Sequence, residues 1–256
     1  MASFVSDGAR LAFEEFGAGP AVLLIHGFAS SRKVNWVNTS WVTTLTEAGF
    51  RVVAIDNRGH GESEKFYDPD KYWAHVMADD AGRLLDHLGI EKALVLGYSM
   101  GARIAAFLAL RHPEKVAGAV LGGMGLNLVN GLADSDEIIA ALSAERLSEV
   151  VGATGRQFRL FAESSKADRP ALVACMIASR EPMAVDDVRR ISVPVLVAVG
   201  ETDDMAGPPQ ALADLLPDAE ALVIPKRNHM LATGDRVFKS AALEFLKRHC
   251  ANVRAS

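Results

Sequence analysis

The sequence predicts an α/β fold built on a mostly parallel sheet, and three observations carry that expectation. Short aliphatic runs of strand length alternate with longer segments of helical period, as parallel strands joined by crossover helices require. The chain has 256 residues, the size of one α/β core with an insertion rather than of two independent domains. Half of the residues are apolar and 23% are charged, enough to fill a single core without a disulfide or metal staple.

A strand near Ser3 and the turn Asp7-Gly8 open the sheet as an antiparallel hairpin with Arg10 to Phe16. Further strands are expected at Ala21 to Ile25, Arg51 to Ile55, Ala93 to Gly97, Ala117 to Leu121, Pro194 to Val199 and Ala221 to Ile224. Helices fit Trp41 to Ala48, Trp73 to Leu88, Met100 to Arg111, Pro208 to Leu215 and Arg236 to His249. In the last of these, Val237, Ala241, Leu243, Phe245 and Leu246 form an apolar face while Lys239, Lys247 and Arg248 point outward. The alternation fails between Gly125 and Asp187, where Ile138 to Val151, Arg156 to Glu163 and Pro170 to Ala178 read as helices. A small helical cap over 125–187 is therefore expected after the sixth strand, with 1–124 and 188–256 forming the core.

Lys+Arg 27 against Asp+Glu 32 leave a net charge of −5, which gives nothing to hold a nucleic-acid backbone. The first sixteen residues carry Asp7, Arg10, Glu14 and Glu15 and no apolar run of the signal-peptide kind. The longest apolar stretches, Ala21 to Ile25 and Val193 to Val199, stop at strand length, far below the roughly 18 residues of a membrane span. A soluble, cytoplasmic protein is expected. Cys175 and Cys250 have no C-x-x-C spacing, which fits a reduced compartment and two small buried hydrophobes. Whether the chain acts as a monomer or a homo-oligomer is left open.

Gly97-Tyr98-Ser99-Met100-Gly101 matches G-x-S-x-G and falls between a strand and a helix. The string alone is weak, but this position gives it a mechanical reason. The chain must reverse so tightly that the serine backbone is strained, and glycines two before and two after avoid side-chain collisions. The hydroxyl is then thrust out at a helix amino terminus, where free N–H groups favour developing negative charge. A serine hydroxyl needs a base, and the base needs an orienting carboxylate, in the chain order Ser, acid, His. His229 follows a strand in a loop, whereas His112 ends the helix after Ser99 and His249 lies in the terminal helix. The acid should follow a strand end, and Gly200-Glu201-Thr202-Asp203-Asp204 offers three carboxylates, Asp203 ahead of Asp204 and Glu201.

Together with His26-Gly27-Phe28 after a strand, Asp56-Asn57-Arg58-Gly59-His60-Gly61-Glu62-Ser63 and Asn228-His229, these marks resemble the α/β-hydrolase superfamily across nearly the whole chain. The resemblance implies an eight-stranded, mostly parallel sheet and an acid one glycine-turn past the penultimate strand, which selects Asp203. It assigns an oxyanion hole to two backbone N–H groups, those of Phe28 and Met100. It makes His26 a structural histidine rather than the base, and gives Arg58 to Ser63 the shaping of the turn after the third of the expected strands listed from Arg10. The chain is accordingly expected to be a serine hydrolase that cleaves a small-molecule carboxylic ester of small to medium size through an acyl-enzyme, with no metal and no organic cofactor. Serine at the nucleophile position separates it from the haloalkane dehalogenases and epoxide hydrolases of the superfamily, which use a carboxylate. Enol-lactonases, carbon–carbon bond hydrolases and perhydrolases share the same three residues, and some members of the fold only bind a ligand.

The cap must decide among these. Tyr98, Met124, Leu126, Phe158 and Phe161 are the candidate substrate-binding residues, with Leu128, Met176 and Met183 near them as a flexible apolar lining. Arg156, Arg159 and Arg180 are candidates for a substrate carboxylate. Ser30 to Trp36 departs from the Gly-rich continuation of several relatives and either lines the entrance or contacts the helix from Trp41.

Overall fold

The computed structural model describes residues 2–133, 135–179 and 181–253. Its strands are β1 (Ala2–Ser6), β2 (Ala9–Phe16), β3 (Ala21–Ile25), β4 (Arg51–Ile55), β5 (Ala93–Tyr98), β6 (Val116–Gly122), β7 (Val195–Gly200) and β8 (Ala219–Ile224). They form one sheet in the order β1-β2-β4-β3-β5-β6-β7-β8. β1 pairs with β2, and β2 with β4, antiparallel, while every pairing from β4 to β8 is parallel. The eight strands lie where the sequence places them, with β8 starting two residues earlier than expected.

The helices are α1 (Trp41–Glu47), α2 (Ala74–His87) and α3 (Met100–Arg111), followed by α4 (Asn127–Asn130), α5 (Ser135–Ser143), α6 (Ala153–Ser164), α7 (Arg169–Ala178) and α8 (Val185–Val188) between β6 and β7. Beyond β7 come α9 (Pro209–Ala213), α10 (His229–Ala232) and α11 (Arg236–His249). Alternation along the strands divides the apolar side chains between two buried faces. Leu23, Ile25, Val53 and Val95 pack with α2 and α3, whereas Val22, Leu24, Val52 and Leu96 pack with α1 and α11. Leu128, Ile138, Phe158, Leu172 and Met176 join the first of these clusters, so α4 to α7 share the core of the sheet.

Two expected helices are shorter than predicted: α9 ends at Ala213, two residues before Leu215, and the larger change falls in α5. The segment from Ile138 to Val151 does not run through, because α5 stops at Ser143. Two arginines take its final carbonyls: Arg159 Nη1 donates to Ala141 O at 2.8 Å and Ala144 O at 2.7 Å, and Arg169 Nη1 to Leu142 O at 3.2 Å and Ala144 O at 2.9 Å. These side chains satisfy groups that a continuing helix would have bonded. Arg159 is therefore buried as a cap and is not free to bind a substrate carboxylate. Arg156 reaches Leu147 O at 3.3 Å, and Arg180 lies outside the described residues. Among the described residues no helix is long and apolar enough to cross a membrane.

Candidate active site

β5 ends at Tyr98 and α3 begins at Met100, so a single residue turns the chain. Ser99 does so at φ 55° and ψ −115°, a conformation that costs a non-glycine residue about 1–3 kcal/mol. The flanking glycines make the turn passable. A Cβ on Gly97 would stand 2.1 Å from Gly101 O, and one on Gly101 2.0 Å from Ile25 O.

The turn aims the Ser99 hydroxyl at His229, whose Nε2 lies 2.9 Å from Oγ. On the other side of the ring, Nδ1 lies 2.7 Å from Asp203 Oδ2. Asp203 leaves the end of β7, and its Oδ1 accepts from the N–H groups of Met205 at 2.9 Å and Ala206 at 3.1 Å. Since a carboxylate accepts only, Nδ1 carries the proton and Nε2 presents its lone pair to the hydroxyl. His229 opens α10 instead of lying in an open loop. Asn228 caps that helix by accepting from Leu231 N at 3.0 Å, and the Tyr98 hydroxyl donates to His229 O. Of the other two carboxylates, Glu201 accepts from Lys226 N at 2.7 Å and Asp204 is exposed.

Residues 27–29 run past Ser99, a Cβ on Gly27 falling 3.4 Å from Ser99 Cβ, and two buried histidines fix their course. Gly27 N donates to Asn35 Oδ1 at 2.8 Å, Ala29 N to His60 Nε2 at 3.1 Å, and Asn57 N to His26 Nε2 at 3.0 Å. Each ring gives its Nδ1 proton to a carbonyl, His26 to Gly27 O at 2.8 Å and His60 to Arg58 O at 2.7 Å. Both rings are thus neutral, with burial pressing the pKa of His26 to about 4 and that of His60 to about 3. Among the described residues neither the Phe28 nor the Met100 amide N–H has an acceptor.

These histidines couple stability to pH. In the unfolded chain they titrate near 6.5, so as pH falls the unfolded state takes up protons first. Stability that is complete above pH 6.5 is lost below it, by about 2 kcal/mol per histidine at pH 5. Urea midpoints at pH 7 and pH 5 measure the loss; equal midpoints would refute it.

Two cavities meet at Ser99 and His229, and Phe28 and Phe158, with ring centroids 5.8 Å apart, border both. The inner cavity, about 50 Å³, is walled by Met124, Leu132, Met176 and Met205. The outer cavity, about 260 Å³, runs past Ser30, Val34, Thr39, Tyr98, Phe161 and Met230. Leu126, expected in the lining, borders neither. Its backbone is drawn to Pro208, N–H to O at 3.1 Å, and its side chain sits half-buried off the site. Leu128 and Met183 also line neither cavity and are buried in the core. The segment from Ser30 to Trp36 does both things open to it: Ser30, Val34 and Asn35 line the outer cavity, while Trp36 packs edge-on against Trp41.

Sequence reasoning placed Asn35 in the segment Ser30 to Trp36 and Asn57 and His60 among the marks after β4, but missed their bonds to the 27–29 loop and to His26, which no local pattern announces. It also missed Arg103, which lines the inner cavity one helical turn after Ser99, a spacing that puts both on one face of α3. Arg103 donates to the carbonyls of Leu128 at 3.0 Å, Glu181 at 2.6 Å and Asn127 at 2.9 Å, tying α4 and the segment after α7 to α3, and burial lowers its pKa to about 10. Among the described residues no group of three His, Cys, Asp or Glu side chains is placed to hold a metal ion.

A family model of the alpha/beta hydrolase fold matches residues 20–167. A Bacillus subtilis protein provisionally named 2-succinyl-6-hydroxy-2,4-cyclohexadiene-1-carboxylate synthase is 29% identical across 94% of this chain and 96% of its own length. Epoxide hydrolase B of Mycobacterium tuberculosis is 41% identical, over 40% of this chain and 28% of its own. Among solved structures, a hydrolase from Pseudomonas aeruginosa PA01 superposes with a TM-score of 0.80 at 25% identity, covering 96% of this chain and 97% of that one.

Proposed function

The chain belongs to the α/β hydrolase fold family, and from that premise we propose that it is a serine hydrolase of small to medium carboxylic esters. The observation that carries the reading is the hydrogen-bonded series from Asp203 through His229 to Ser99, at 2.7 and 2.9 Å, on a hydroxyl held at a strained turn. In this reading Ser99 Oγ attacks the ester carbonyl carbon as its proton passes to His229 Nε2, and Asp203 stabilises the imidazolium. The carbonyl oxygen, now anionic, accepts from the N–H groups of Phe28 and Met100, each worth about 3 kcal/mol in the transition state. Collapse expels the alcohol, which takes the proton from Nε2 and leaves the acyl group on Ser99. Water then attacks the acyl carbon, giving a proton to Nε2; that proton returns to Ser99 Oγ as the acid departs.

Labelling of Ser99 by a serine-directed phosphonate, with turnover of aryl esters, tests the reading; a background labelling rate and no turnover sink it. Asp203→Asn is expected to lower kcat by about four orders of magnitude with the fold intact, because the amide favours the wrong imidazole tautomer. Initial rates on an aryl ester, beside an unchanged unfolding curve, check this. The epoxide hydrolase relative shares less than half of this chain, and a serine in place of a carboxylate nucleophile supports acyl transfer over epoxide opening.

A second reading, enol-lactone or carbon–carbon bond hydrolysis with the same three side chains, takes a ring or dienone carboxylate in place of a simple ester, and one finding bears on the carboxylate. The relative that spans 94% of this chain is named for making a cyclohexadiene carboxylate. A dienone acid or enol-lactone turned over faster than aryl butyrate would favour that second reading.

A further inference from the structure

We propose that Arg103 binds a carboxylate on the substrate, so that the preferred esters carry a free carboxylate near the carbonyl that Ser99 attacks. The inference rests on the serine-hydrolase reading above and names the substrate class of that same site.

Comparison of the buried arginines singles out Arg103. Among the described residues Arg32, Arg58, Arg103 and Arg159 are buried, and burying a cation is costly unless an anion faces it. Arg32 has Glu14 at 2.9 Å together with Asp56 and Glu62, Arg58 has Asp80 at 2.6 Å, and Arg159 has Glu163 at 2.6 Å. Arg103 forms no ion pair among the described residues and is held by carbonyl oxygens alone. Glu181 gives it one of those oxygens, while the Glu181 carboxylate stands 3.2 Å from His75 Nδ1. The lowered pKa of Arg103 has the same origin, a desolvated charge that the Glu181 carboxylate does not offset.

Part of the guanidinium is free for a ligand. Nη1 donates to Leu128 O and Glu181 O and Nη2 to Asn127 O, which leaves Nε–H and one N–H of Nη2. Nε has no partner among the described residues and yet is not sealed off, since the buried side-chain atoms that lack a partner there are Ser30 Oγ and Trp36 Nε1. Arg103 lines the inner cavity with Ser99 and His229. Its own amide donates to Ser99 O at 3.1 Å, so α3 fixes the cation one turn from the nucleophile. The partner for a carboxylate, sought in the cap arginines, is thus supplied by α3.

Charge favours a carboxylate over a phosphate. Arg103 and His229 are the ionisable side chains among the described residues of this cavity, and much of the remaining wall is Met124, Leu132, Met176 and Met205. One fixed positive charge beside soft apolar contacts suits a singly charged group on a short alkyl or ring stem. A phosphate would bring a second negative charge that nothing there balances.

The test compares kcat/KM within two matched pairs of esters on the whole protein. Phenyl hydrogen glutarate is set against its primary amide, and 3-carboxyphenyl acetate against 3-carbamoylphenyl acetate, so that the carboxylate is offered on either side of the carbonyl. The amide keeps the shape of the carboxylate without its charge. In at least one pair the carboxylate is expected to be preferred by about a hundredfold. In Arg103→Gln that preference should fall by about tenfold or more, and Arg103→Lys should recover part of it. Each ratio is taken on one preparation, so a partial loss of folded enzyme cancels, and an arginine that only ties α4 to α3 would change the rates without changing the ratio. No preference for the carboxylate in either pair with the parent protein would overturn the assignment without any variant; so would a preference that survives in Arg103→Gln. In both cases labelling of Ser99 by a neutral phosphonate would leave the hydrolase reading standing. Neither labelling nor turnover of any ester would bring down both together.

Discussion

Ser99→Ala is expected to lower aryl-ester turnover by roughly 10⁴- to 10⁶-fold while unfolding at the same urea concentration as the parent. The loss is large because the proposed mechanism loses its attacking atom, and what remains of the site would only bind the ester and polarise its carbonyl. Stability should hold because alanine keeps the Cβ that already occupies φ 55° and gives up only the bond to His229 Nε2. Single-turnover kinetics on an activated aryl ester, with a denaturation curve on the same sample, measure both halves. Residual turnover within a hundredfold of the parent would place the nucleophile elsewhere.

Gly101→Ala is expected to cost at least about 4 kcal/mol, or to leave no soluble protein. The added Cβ would lie 2.0 Å from Ile25 O and 2.6 Å from His26 O. Both are backbone atoms of β3 and the loop after it, which cannot swing aside as a side chain would. Relief would have to come from pulling α3 away from the sheet, and with it the Met100 amide from the Phe28 amide. Gly82→Ala supplies the contrast. There, in the middle of α2, the nearest atoms to an added Cβ are side-chain carbons of His112 and Leu108 at 3.6 Å, and the better helix former should stabilise by up to about 1 kcal/mol. Denaturant midpoints for the two variants measure the difference, and similar stabilities would contradict the packing account.

The parts of the site that could be read from the sequence are those where one local constraint fixes a residue type. The strands announce themselves as uninterrupted aliphatic runs because a parallel sheet is covered on both faces. Ser99 is marked by glycines that its turn demands, and His229 by following a strand with no helix of its own in view. What escaped is decided across space. The break in α5 is made by Arg159 and Arg169, which lie far enough along the chain that no helical window over Ile138 to Val151 contains them. Leu126 has the right hydrophobicity and the right neighbours, yet a backbone bond to Pro208 turns it off the site. His60 reads as a turn residue, although its ring nitrogen holds Ala29 from 31 positions away. Ser30 is an ordinary serine until its surroundings are known, since an orphaned hydroxyl is a property of the packing around it and not of its letter.

The Tyr98 hydroxyl grips the carbonyl of residue 229, not its ring. The strand that leads into Ser99 therefore also moors the segment that carries His229, and the mooring is indifferent to which side chain stands there. An enzyme stripped of the imidazole, as in His229→Ala, would keep its berth for a freely added one, which makes rescue by small imidazoles a natural way to time the proton transfer from outside.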